Sequence, residues 1–181
     1  MRIKFSTFSY YRCFFPINKM FQRRLLHTIK YAKQPQLYLH ESITFTKVSF
    51  SKDPNKIHIG EVPSSADLSK IVIEPSKFME NSKFKDILHK TIAKNIYDDQ
   101  SYVIEAINYR GSFMPIGDEK VIQEYMNQRP ELPNTMGFVH VDNDGIMEKG
   151  TYEVNDTYTL CNVDGIIKLP ETMLEHLLKA L

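Results

Sequence analysis

No aspartate or glutamate occurs before Glu41, yet the same stretch carries Arg2, Lys4, Arg12, Lys19, Arg23, Arg24, Lys30 and Lys33. Charges of one sign cannot pair with one another. Such an arm is matched from outside, by nucleic-acid phosphates, an anionic membrane surface or an import potential. From Glu41 onward the chain holds the other 15 Lys and Arg against all 22 Asp and Glu, a net of −7. The formal +1 of the 181 residues is therefore a cancellation between a basic arm and an acidic body. Only the body has the mixed charge of a packed domain.

The arm interleaves its positive charge with Phe5, Phe8, Tyr10, Tyr11, Phe14, Phe15 and Phe21. From Met20 to Ile29 the spacing predicts a helix: Phe21, Leu25 and Ile29 recur every fourth residue, with Gln22, Arg23 and Lys30 off that stripe. A positive amphipathic helix without acidic residues has the form of a mitochondrial transit peptide. The inner-membrane potential draws positive charge inward by about 2.3 kcal/mol per charge per 100 mV. A secretory signal needs an unbroken apolar core of about 7–15 residues, which Arg12, Lys19, Arg23 and Arg24 interrupt. The run Arg23-Arg24-Leu25-Leu26-His27-Thr28 resembles the Arg-x-Leu-x-x-Thr pattern that precedes matrix processing sites, which implies a mature chain beginning near Lys33. Residues 1–32 are accordingly read as a transit peptide, disordered or cleaved, and residues 33–181 as one domain of net charge −6.

With 42% hydrophobic and 25% charged residues over the chain, that domain can bury a substantial core. No apolar run approaches the roughly 18–20 residues of a membrane-spanning helix, so no integral membrane segment is expected. Cys13 and Cys161 are too few for a disulfide scaffold or an all-cysteine zinc site. Leu37–Glu41 reads as extended, and strands are predicted at 43–50, 56–60, 71–73 and 101–109. The last has two apolar faces and is expected to be central. Helices are predicted at 82–96, with Phe84, Ile87, Leu88, Thr91 and Ile92 on one face, at 118–128 under an Asp118 cap, and from Pro170 with Met173, Leu174, Leu177 and Leu178 inward. Asp142-Asn143-Asp144-Gly145 and Asn162-Val163-Asp164 are tight-turn signals. Without a regular βαβ repeat, the expected fold is α+β: a single domain with a mostly antiparallel sheet, two or three packed helices and C-terminal hairpins.

His140, Asp142 and Asp144 form the most site-like set. On an extended strand they project to one face, as ligands for a hard cation or zinc would. An EF-hand alignment puts His140 first and Thr151 twelfth, where calcium needs carboxylates, so that reading fails. Asp, Asn, Asp and Gly are also what a hairpin turn prefers, and no metal or cofactor is assigned. His140, Asp142 and Cys161 are the candidate catalytic residues. Cys161 sits in no nucleophile motif and is expected to be a small core residue. Glu74, Asp98, Asp99 and Glu105 are available as a carboxylate pair. Residues 110–117, with Phe113-Met114-Pro115 between glycines, read as a loop whose apolar group is expected to pack under the sheet, with a partner-binding lip or lid as the alternative. Lys77, Lys83, Lys85, Lys90 and Lys94 mark a helix face that could touch RNA, but the acidic body argues against nucleic acid as a partner. Phosphate loops, dinucleotide fingerprints and Gly-x-Ser-x-Gly elbows are absent from the sequence.

The basic arm and a Lys/Asn/Ile-leaning body, in a chain with 10 asparagines, resemble the small mitochondrial proteins of yeasts. That resemblance implies the mitochondrial matrix and no particular activity. The expectation is a soluble matrix protein that binds a protein partner as an accessory or assembly factor. The alternatives are a small enzyme whose site joins His140 and Asp142 to residues 110–117, and a mitochondrial ribosome-associated protein.

Overall fold

The computed structural model describes residues 27–120 and 130–181. β1 (Thr28–Lys30), β2 (Tyr38–Glu41), β3 (Phe45–Ser49), β4 (Gly60–Pro63) and β5 (Met79–Glu80) follow one another across a five-stranded antiparallel sheet. Leu39 and Val48 lie opposite each other in register, and both are fully buried. Because side chains alternate with a period of two, that pair decides which face of the sheet meets the core.

α1 (Ser82–Asn95) starts under a cap: the Asn81 side-chain oxygen accepts from the Lys83 N–H at 3.1 Å. It buries Phe84, Leu88 and Ile92 along one stripe, each burial worth roughly 1.5–3 kcal/mol. The Phe84 ring packs against Phe50, just past β3, with centroids 6.0 Å apart. α2 (Gln100–Ala106) and a 3-10 turn at Ile107–Tyr109 lead into β6 (Ser112–Gly117). β6 pairs with β7 (Thr135–Val141), and β8 (Glu153–Val154) completes a three-stranded sheet. β9 (Cys161–Asn162) and β10 (Gly165–Ile166) form a last hairpin, and α3 (Glu171–Ala180) packs on α1. The buried side chains make one core, so the fold is α+β with antiparallel sheets and packed helices. Among the described residues no helix is long and apolar enough to cross a membrane.

Several local expectations are corrected. Residues 101–109 are helical rather than a central strand. The Asp99 carboxylate accepts from Ser101 N at 3.0 Å and starts α2, which buries Tyr102 and Ala106, one helical turn apart. Residues 112–117 are strand β6 rather than loop, and Met114 is fully buried beneath it. The partner of β3 begins at Gly60, so Val62 and Pro63 are strand and not loop. Ile71–Ile73 forms no strand; Ile73 N donates to the Tyr31 hydroxyl instead of to a neighbouring strand. Thr28 and Ile29, expected at the end of an arm helix, are in β1, where pairing with β2 satisfies their backbone. The rest of that helix, and most of the one expected at 118–128, lie outside the described residues.

Candidate functional site

β7 ends at Val141, so His140, Asp142 and Asp144 do not share the face of one strand. Gly145, at φ +89°, closes a tight turn that a side-chain-bearing residue would strain. Asp142 Oδ1 accepts from Asp144 N at 2.9 Å and from Ile146 N at 2.8 Å. That carboxylate is therefore committed to shaping the turn. His140 is half-buried, with Nδ1 3.0 Å from Glu148 Oε2 and the Phe113 ring edge-on at 5.1 Å. Asp144 is exposed. Among the described residues no three His, Cys, Asp or Glu are grouped to hold a metal ion.

Cys161 is buried on β9, and burial pushes its thiol up to about 11. A thiol that stays protonated at neutral pH is a poor nucleophile. Beside it lies a buried polar cluster that spacing does not announce. The Asp118 and Lys120 side chains are almost wholly inside, with Lys120 Nζ 3.2 Å from Asp118 Oδ2. The Tyr158 hydroxyl donates to Asp118 Oδ2 at 2.8 Å, while Lys120 N and Lys168 N donate to Oδ1 at 2.8 and 3.0 Å. Lys120 Nζ also donates to Thr159 O at 3.1 Å and lies 5.2 Å from the centre of the Tyr158 ring. A buried ion pair is tolerated only when its remaining lone pairs and protons are matched in this way. Burial, then Asp118, keeps the Tyr158 phenol protonated far above its ordinary range. The cluster ties the end of β6 to the C-terminal hairpin and has a structural role.

The five lysines separate. Lys77 lies on a 3-10 turn and pairs with Glu74 at 2.8 Å. Lys85 Nζ turns inward and donates to Tyr158 O at 2.7 Å. Lys83, Lys90 and Lys94 remain exposed on α1.

Two surface features escape the sequence because residues 101–109 read as a strand. First, a cleft of about 410 Å³ lies between α2, β6 and the stretch before α3. Tyr102, Pro115, Pro130 and Pro170 supply apolar walls, and Glu105, Glu119 and Lys168 supply charge. Lys168 Nζ is 3.8 Å from Glu119 Oε2, whereas burial alone raises the Glu105 carboxyl above its usual range. His140 and Asp142 do not line this cleft. Second, α2 and the 3-10 turn after it carry branched apolar side chains outward. Ile104 is 68% exposed and Ile107 54%, three residues apart on one helical face. Gly145 sits against the Ile107 backbone, where a Cβ would lie 3.2 Å from the Ile107 Cα, and its neighbour Ile146 is itself exposed. Comparison with known protein families, with curated proteins and with solved structures finds no match.

Proposed function

We propose that this chain is a mitochondrial matrix protein that acts by binding a partner protein, as an accessory or assembly factor. The observation that carries the binding role is the exposed pair Ile104 and Ile107, with Gly145 against the Ile107 backbone and its neighbour Ile146 also exposed. Apolar side chains gathered on one surface cost free energy in water that association recovers. The acid-free arm supports the location, since an import potential acts on net positive charge. Two measurements test the reading. A reporter carrying residues 1–40 enters energised mitochondria and stays out when the potential is collapsed; potential-independent behaviour removes the location. A photo-crosslinking residue at position 104 captures a discrete protein that the same residue at exposed Val163, alone in its turn, does not. Identical capture from both positions removes the binding surface.

The cleft favours a second reading, a small-molecule or catalytic site built on Glu105 rather than on His140. A half-buried carboxylate facing apolar walls suits an amine-bearing ligand. On that reading Glu105→Gln abolishes ligand-induced thermal stabilisation in an amine library screen and leaves crosslinking from position 104 unchanged.

A further inference from the structure

Residues 28–36 are woven into the body, which bears on where the arm can be removed. β1 pairs with β2 over three residues, Thr28 with His40, Ile29 with Leu39 and Lys30 with Tyr38. Glu41 N donates to His27 O at 2.9 Å, one step further toward the arm. Thr28 Oγ1 is 2.9 Å from His40 Nδ1, and the other ring nitrogen of this buried histidine is 2.9 Å from Ser51 O. Tyr31 is 6% exposed and belongs to the core. Its N–H donates to Leu37 O at 2.8 Å, closing the turn between the two strands, and its hydroxyl accepts from Ile73 N. Within that turn Gln34 Nε2 donates to Ile167 O at 2.8 Å. Gln36 exchanges two bonds with Leu169, at 2.7 and 3.1 Å.

A cut at Ala32–Lys33 falls inside this hairpin. It would release β1, leave the edge of β2 unpaired and withdraw an aromatic ring from the core. His40 and Ile73 would lose the groups that meet them. The last pair of positive charges before β1 is Arg23-Arg24, and Leu25, Leu26 and His27 separate it from Thr28. An endopeptidase with acidic subsites reads positive charge just upstream of the bond it breaks.

We propose that the arm is cut between Arg24 and Thr28, so that the mature chain keeps β1 and Tyr31; this rests on the matrix location proposed above. A matrix endopeptidase adds water across one peptide bond. The hydroxyl goes to the carbonyl carbon, the C–N bond breaks, the arm leaves with a carboxylate and the body keeps a new α-amino group.

The test uses the full precursor with a C-terminal tag, imported into energised mitochondria and recovered from the matrix. Mass spectrometry of the recovered chain places its first residue among positions 25–28. In the same recovered form Tyr31→Ala lowers the melting temperature by roughly 5–15 °C and Tyr31→Phe by roughly 1–4 °C. The milder variant keeps the comparison available if the alanine chain is degraded. A recovered chain that starts after Thr28, or that is uncut, overturns the proposal. So does a melting temperature indifferent to both Tyr31 variants, because the retained segment then adds nothing to the stability of the mature fold. A precursor that never enters overturns the location and the cut together; import followed by a start at Lys33 overturns the cut alone.

Discussion

Asp118 and Tyr158 are 40 residues apart and meet in the interior, whereas His140, Asp142, Asp144 and Glu148 are near neighbours in sequence and stay at the surface. Spacing hides the interior group and gives the surface group the form of a site. Their partners explain the difference. Around Tyr158 the Asp118–Lys120 contacts are local, but the bonds to Tyr158, Thr159 and Lys168 span 40, 39 and 50 residues and match the charged atoms, so the cluster holds distant segments in place. In the Asp142–Gly145 turn the carboxylate serves backbone N–H groups two and four residues on, and the polar residues are spent on local geometry. A cluster of charges thus reports a role only once its partners are known.

The sharpest way to break this contrast is Lys120→Met, which leaves the Asp118 carboxylate buried beside an apolar chain. Urea titration at neutral pH should show a loss of about 3–5 kcal/mol, the cost of stranding one member of a buried pair. A loss under about 1 kcal/mol would place Asp118 in a wetter setting than its burial indicates.

Next in size is a pH effect from His89, which packs edge-on against Tyr158 and lies 2.9 Å from the Tyr152 hydroxyl. Burial first, then Lys85, pushes its pKa from 6.5 down to about 4. The folded protein therefore holds this ring neutral while the unfolded chain protonates it. Its contribution is complete above pH 6.5, falls as pH drops toward 4 and is flat below that. The swing is on the order of 2–3 kcal/mol. His40 and His58 are also lowered by burial and act with the same sign. The check is the difference between wild type and His89→Gln: stability curves that stay parallel from pH 7 to pH 4 would remove His89 from the account.

The surface group should respond far less. Asp142→Ala removes two hydrogen bonds from a turn and should cost about 1 kcal/mol by the same titration. Asp144→Ala should stay within about 0.5 kcal/mol, as expected for an exposed side chain away from any packed feature. A larger effect for Asp144, or a stability gain from added zinc or calcium that it abolishes, would restore the metal reading of this turn.

Local signals are legible where local chemistry suffices. α1 follows from its cap and its stripe of Phe84, Leu88 and Ile92, and α3 from Pro170 and the apolar spacing after it. The Asp142–Gly145 and Asn162–Gly165 hairpins follow from turn residues. Residues 101–109 mislead because Val103, Ile104 and Ile107 carry strand propensity, while the Asp99 cap and the burial of Tyr102 and Ala106 favour a helix. That conflict conceals both the cleft and the exposed Ile104–Ile107 pair, since each depends on which way α2 faces.

By itself the sequence determined the division into a basic arm and an acidic body, the α+β class and the hairpin turns. These depend on charge and on interactions a few residues in range. Tertiary structure alone decided that Thr28–Tyr31 belong to the body, that Asp118 and Lys120 pair inside and that Ile104 of α2 and Ile107 just after it turn outward. Each outcome depends on partners far away in the chain, and the free energy of burial is assigned only when those partners arrive.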